Sequence, residues 1–265
     1  MSLMVTDTKH YKAIGDTIRA QRGTEELFLP EQMSEQISDA CVEKFEAGKN
    51  QEWSDFWDEF QQKGTRTAYN YAFARPVWND KTFKPKYNIV PTGSPTSMFY
   101  QANVTNLKTR LEEMGVTLDT SQVTNSSTMF YEMRTECLPV IDLTGCDVLT
   151  TAFIGSYIPT IEKLILREDG SQTFTQTFQN AILLENIVIE GVIGTTFSMV
   201  NSGLLTVESM INVISALKNY KGTENDLRYK VLFHTNAWAR LESSGAAPNG
   251  STWKTYVQDV LGWNV

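Results

Sequence analysis

Leu138-Pro-Val-Ile141-Asp-Leu143, Ile161-Glu-Lys-Leu164-Ile-Leu166 and Leu184-Glu-Asn-Ile187-Val-Ile189 carry one pattern three times at a period of 23 residues. In each stretch the first, fourth and sixth positions are aliphatic. A period of about 20–29 residues with this outline predicts one short strand per unit. A single unit cannot bury its apolar side, so neighbours stack and bury it jointly. The pattern therefore predicts parallel strands whose triplets point into a shared core.

A second column supports the first. Met98-Phe99, Met129-Phe130, Ala152-Phe153 and Thr177-Phe178 return once per unit, with Phe spacings of 31, 23 and 25 residues. A Phe recurring between strands would fill the interior from the side opposite them. Gly145, Gly155, Gly170 and Gly194 fall where turns are needed. The stretch Leu138-x-x-Ile141-x-Leu143-x-x-Cys146-x-Val148 follows the longer leucine-rich repeat consensus. The expected fold is α/β: a short right-handed leucine-rich repeat solenoid with a parallel sheet, held between unlike caps. Residues 1–68 read as an α-helical N-terminal cap, 69–205 as the solenoid and 206–265 as a mixed helix and strand C-terminal cap.

In the N-terminal cap, residues 10–22 place Ala13, Ile14 and Ile18 on one helical face before Gly23. After Pro30, the residues Met33, Ile37, Cys41 and Phe45 recur at fours, and Gly48 ends that helix. Trp53, Phe56, Trp57 and Phe60 define a third helix closed by Gly64. Its aromatic stripe reads as a packed face rather than a cofactor or sugar box. From Tyr69 to Pro91 the period is lost and the chain reads as extended.

At the C-terminal side the triplet fails at Asn212. Thr206 is placed to cap a helix with Val207, Met210, Ile211, Ile214 and Leu217 on one side, Lys218 and Lys221 near its end and Gly222 as its stop. Leu227, Tyr229, Val231 and Phe233 alternate like a strand, and 236–242 and 252–261 read as short helices.

Composition narrows the function. The 265 residues, 41% hydrophobic and 20% charged, are enough for a sizeable core and too aliphatic for disorder. A net charge of −8 without any basic run argues against a nucleic-acid partner. No apolar run approaches the length of a membrane span, and no secretory leader is visible. Met1-Ser2-Leu3 ahead of Met4 reads as an expression scar. Cys41, Cys137 and Cys146 lack metal or redox spacing and read as small buried hydrophobes.

Candidate chemistry is sparse. His10 reads as solvated, and His234 as the outward end of a strand. Asp55, Asp58 and Glu59 share the third predicted helix, where a solvated face outweighs an acid pair. No Gly-rich phosphate loop follows a strand, and Asn249-Gly250-Ser251 is a chance match to a glycosylation acceptor. The residues point to no cofactor, no metal site and no enzyme.

LDTSQV at 118–123, followed by Met129-Phe130-Tyr131, resembles the BspA-like leucine-rich repeats of bacterial surface proteins. AIGDTIRAQRGTEELFLPEQMSEQI at 13–37 is similar to a segment of tail-region proteins from phages and prophages of gut Firmicutes. FWDEFQQKG at 56–64, WNDKTFKPKYNI at 78–89, LLTVESMINVISALKNYKGT at 204–223 and the closing LGWNV extend the likeness over most of the chain. Cys137 and the 243–253 tail depart from the pattern. The resemblance implies a virion-associated protein, or one in the host-cell cytoplasm before assembly, with no catalytic motif.

If the triplets point inward, the residues between them point out along the sheet. The expected partner-binding columns are Val140, Asp142 and Thr144; Lys163, Ile165 and Arg167; and Asn186, Val188 and Glu190. Ile165 and Val188 on a wet face, among charges, have the composition of a contact surface. The expected function is non-enzymatic binding or structure in a phage or prophage tail region. The partner would be a protein or cell-surface glycan on the host or in the virion, and homo-oligomers are open. The alternatives are a bacterial cell-surface adhesin or interaction protein, and an enzyme with an unrecognised site.

Overall fold

The computed structural model describes residues 54–75 and 77–265. The expected helices over 10–22 and 30–48, with His10, Cys41 and Trp53, lie outside the described residues. The chain divides into two compact units, Met1–Glu59 and Phe60–Val265. Of the third predicted helix, backbone at residues 54–60 is helical, and a 3-10 turn follows at Gln62–Gly64.

The larger unit is α/β, as expected at that level, with parallel strands in small sheets. The strands are β1 (Cys137–Asp142), β2 (Val148–Thr150), β3 (Thr160–Ile165), β4 (Thr173–Thr175), β5 (Asn186–Glu190), β6 (Phe197–Met199) and β7 (Val231–Phe233). They pair as β1-β3-β5, β2-β4 and β6-β7, every ladder parallel. The helices are α1 (Leu107–Met114), α2 (Val207–Ser215), α3 (Thr235–Ser243) and α4 (Trp253–Asp259).

All nine triplet residues are buried. The 23-residue offset holds between β1 and β3, where Leu138 faces Ile161 and Ile141 faces Leu164. It fails at β5. Ile161 pairs with Ile187 and Leu164 with Ile189, so Leu184 falls outside the strand. The cause lies in the strand periods. β5 alternates strictly, burying Ile187 and Ile189, whereas β3 buries Ile161 and Leu164 three apart. Glu162 and Lys163 therefore oppose the single residue Val188, and the register shifts there. That is a bulge, two residues against one.

Opposite this sheet the Phe column forms one file of rings. Phe99, Phe130, Phe153 and Phe178 stack at 5.5, 5.2 and 5.1 Å, within 7° of parallel. Phe73 extends the file at 5.1 Å, and Phe197 ends it edge-on at 5.6 Å. Backbone bonds run beside the rings. Phe99 N–H donates to Met129 O, Phe130 N–H to Ala152 O and Phe153 N–H to Thr177 O, at 2.8, 2.8 and 2.9 Å. The flanking residues are left-handed in pairs four apart: Tyr71 and Arg75, Ser97 and Gln101, Thr128 and Glu132, Thr151 and Gly155, Gln176 and Asn180, all with φ between 50° and 83°. Only one of them is glycine. In every turn but the last, the amides of both flanking residues also donate to the next turn of chain. The ladder thus offsets a backbone conformation that costs a non-glycine residue about 1–2 kcal/mol.

Helices lie against both edges of the three-stranded sheet. α1 packs beside β1, and Thr135 Oγ1 accepts from Leu107 N–H at 2.8 Å. α2 lies against β5, where Ser209 Oγ and Asn212 Oδ1 accept from Ile187 N–H and Ile189 N–H at 3.0 and 2.5 Å. The residue that broke the triplet thus satisfies the edge strand. α2 is shorter than the sequence predicts. Ala216 O accepts from Ile193 N–H, Leu217 bridges to Ile193, and the helix stops at Ser215. Its buried side is Ser209, Met210, Val213 and Ile214, so Val207 and Ile211 are only half-buried. The alternation from Leu227 shrinks to β7, because Leu227 itself is left-handed and exposed. His234 ends no strand outward. It caps α3, its Nδ1 accepting from Asn236 N–H at 3.1 Å.

Phe153→Ala removes the middle of the ring file and is expected to cost about 3–5 kcal/mol in urea denaturation. Gln176→Gly, at an exposed left-handed position, is expected to be neutral to about 1 kcal/mol stabilising, and Gln176→Val to lose more than about 1 kcal/mol. Equal losses for the two Gln176 variants would show that the backbone there is not strained.

Candidate functional site

The nine expected contact residues separate into those on the face of β1-β3-β5 and those that leave it. Val140 aligns with Lys163, and Val188 sits opposite the bulge that contains Lys163. These three make one row, with Val140 and Val188 exposed at 38% and 43%. Asp142 aligns with Ile165 and Ile165 with Glu190, a second row in which an aliphatic residue lies between two carboxylates. Lys163 Nζ ties the rows through Glu190 Oε2 at 2.7 Å, an exposed pair of modest strength.

Three expected residues are elsewhere. Asn186 aligns with Thr160 rather than Lys163, a consequence of the slipped register, and its Oδ1 accepts from Thr206 Oγ1 ahead of α2. Thr144 turns the chain after β1: Asp142 Oδ1 accepts from its N–H and its Oγ1 at 2.9 and 2.7 Å. Arg167 is an internal clamp. Its Nε donates to Thr144 O at 2.6 Å, its Nη2 to Gly145 O at 3.2 Å, and its Nη1 pairs with Asp147 Oδ1 at 2.6 Å. Gly145 is needed there, since a Cβ would lie 2.3 Å from Val123 O. The expectation that Arg167 is available to a partner is corrected: three groups of the preceding loop occupy the guanidinium.

A second surface escaped the sequence reading. Two columns flank the inward residues Ala102, Met133 and Ser156, and they point outward on either side. One column is Gln101, Glu132 and Gly155, all left-handed; the other is Asn103, Arg134 and Tyr157, joined by parallel bridges. Between them lies an open cleft of about 360 Å³ lined by Gln101, Asn103, Glu132, Arg134 and Tyr157. Gln101 Nε2 donates to Glu132 Oε2 at 2.8 Å. The hydrogen bond to Glu132 also holds the Tyr131 phenol above its ordinary pKa. Arg134 lies over the Tyr157 ring, Cζ 4.1 Å from its centroid. The signal was present as Gln101-x-Asn103, Glu132-x-Arg134 and Gly155-x-Tyr157, at fixed distances after each column Phe.

Burial pushes the thiols of Cys137 and Cys146 up, away from thiolate reactivity. Cys146 is buried with its Sγ 3.3 Å from Val123 O, and Cys137 is half-buried. Asp55 and Glu59 are exposed and Asp58 half-buried on the helical segment 54–60. Among the described residues no three His, Cys, Asp or Glu side chains are grouped to hold a metal ion, and no helix is long and apolar enough to cross a membrane.

No protein-family model, curated protein or solved structure matches the chain.

Arg167→Ala is expected to destabilise the fold by about 1–3 kcal/mol, because it strands two loop carbonyls as well as a carboxylate. Lys163→Ala should change stability by less than about 1 kcal/mol. Parallel thermal and urea denaturation of the two variants measures the contrast. An Arg167 variant as stable as the parent would return that residue to the contact surface.

Proposed function

We propose that the chain is a short right-handed leucine-rich repeat solenoid serving as a non-enzymatic binding or structural protein of a phage or prophage tail region. Residues 69–205 would form the solenoid, with unlike caps before and after. Parallel pairing at a 23-residue offset, the buried triplets and the file of Phe rings support the solenoid reading. The tail-region assignment rests on the resemblance of the stretches named above.

The observation that carries the binding role is the face of β1-β3-β5. Val140 and Val188 are exposed on it on either side of Lys163, and the neighbouring row offers Asp142, Ile165 and Glu190. Apolar groups interspersed with both signs of charge suit a protein or glycan surface of the host or the virion. The core beneath does not need them. The contact set is therefore Val140, Asp142, Lys163, Ile165, Val188 and Glu190, without Arg167.

Val188→Glu combined with Lys163→Glu is expected to reduce binding to intact host cells, or to partner proteins of the purified particle, by at least about tenfold (1.4 kcal/mol). The melting temperature should stay within a few degrees of the parent. Full binding by a folded double variant would sink the sheet-face assignment. Mass spectrometry of purified particles that lack the chain would sink its place in the virion.

A further inference from the structure

We infer that the cleft between the Gln101–Glu132–Gly155 and Asn103–Arg134–Tyr157 columns binds a carboxylated sugar residue. The cleft is separate from the sheet face, so this inference does not rest on that surface being used.

The Arg134 guanidinium lies over the Tyr157 ring, its Cζ 4.1 Å from the centroid, and among the described residues no hydrogen bond or ion pair engages its N–H groups. Arg167 and Arg110, by contrast, have carbonyl and carboxylate partners. A guanidinium resting on an aromatic ring with its donors open offers a fork for a carboxylate. Stacking on the phenol ring restricts the side chain before a ligand arrives, which lowers the ordering cost of binding.

The other lining groups restrict the ligand further. Glu132 stands in the same cleft, anchored by the Gln101 amide. A carboxylate beside the fork disfavours a polyanion or a doubly charged phosphate, as does the net charge of −8. It welcomes hydroxyl donors. The Asn103 and Gln101 amides and the Tyr157 phenol both donate and accept. One acid group among several hydroxyls is the chemistry of a uronic or similar acidic sugar. A peptide ending in a carboxylate would present the same fork partner but also apolar side chains, and no aliphatic side chain lines the cleft to receive them. The volume of about 360 Å³ lies at the small end of ligand sites, of order 300–1,000 Å³.

The ladder keeps the site in shape. Gln101, Glu132 and Gly155 are held left-handed by bonds to the next turn, and Arg134 N–H donates to Ala102 O at 2.9 Å. A Cβ at Gly155 would come within 3.2 Å of Glu132 Cγ, so glycine leaves Glu132 its position.

The test titrates the full chain with glycans ending in glucuronate, galacturonate or sialate and with their carboxyl-reduced counterparts, read by calorimetry. The expected result is binding to at least one acid-terminated glycan, weakened about tenfold or more by carboxyl reduction and likewise by Arg134→Ala. Arg134→Lys, which keeps the charge and loses the fork, should lie between the two. It also serves as the second variant should Arg134→Ala fail to fold. Val188→Glu on the sheet face should bind as the parent does, which separates this site from the proposed contact surface. The inference is overturned by no binding to any acidic glycan, by equal binding after carboxyl reduction, or by an unchanged affinity in a folded Arg134→Ala. Binding of a carboxyl-terminated peptide in place of the glycans would also overturn it.

Discussion

The structure depends on one spacing. Paired parallel strands stand about 4.8 Å apart, and aromatic rings stack face to face at little more than that. Phe73, Phe99, Phe130, Phe153 and Phe178 meet this condition at 5.1–5.5 Å. Once a ring must sit over its neighbour, the backbone that carries it must return to the same place in every turn of chain, and the left-handed pairs bring it there. The number of residues between rings is then free. The spacing of 31 residues from Phe99 to Phe130 includes α1, while the 23 from Phe130 to Phe153 hold the strands β1 and β2 and no helix. Length varies in the connections because it cannot vary in the file.

The same constraint explains the ends of the sheet. A stack of parallel strands always has two open edges, each a row of unpaired amides and carbonyls. On the β5 edge the next turn of chain could have been another strand. It is instead a helix whose Ser209 and Asn212 side chains accept the two amides that a strand would have taken. A polar side chain at the position of a triplet aliphatic residue thus has a structural role, and it prevents another strand from adding at that point.

Legibility followed the physics of each signal. The triplets and four of the five stacked rings could be read from the sequence because burial repeats them. Phe73 was missed, lying in a segment where Pro and Asn obscure the period. The slip at β5 was missed because a constant 23-residue offset cannot show a bulge, which depends on whether a strand buries every second residue or spaces them by three. Arg167 was misplaced for a related reason. Its position in the pattern is outward, but a long side chain follows its hydrogen-bond partners and reached back to Thr144 and Gly145. The left-handed pairs had almost no signature, since Thr, Ser, Gln and Tyr occupy most of them and only Gly155 and Asn180 are residue types that favour a positive φ. The two columns that line the cleft stand at fixed distances after each column Phe, but with those pairs hidden nothing in the sequence marked them as outward.

Function in such a chain is confined by what the file already fixes. Inward positions are committed to packing, and the left-handed backbone commits its amides to the next turn. What remains free is the outward side chain, two columns at a time, held in place by a backbone that cannot relax around it. Gln101, Glu132 and Arg134 vary in type from turn to turn while Ala102, Met133 and Ser156 beneath them stay buried. A rigid support with variable outward columns suits recognition of a surface or a sugar. The guanidinium of Arg134, over the Tyr157 ring and without a hydrogen-bond or ion-pair partner among the described residues, is the clearest outward group that the packing does not explain.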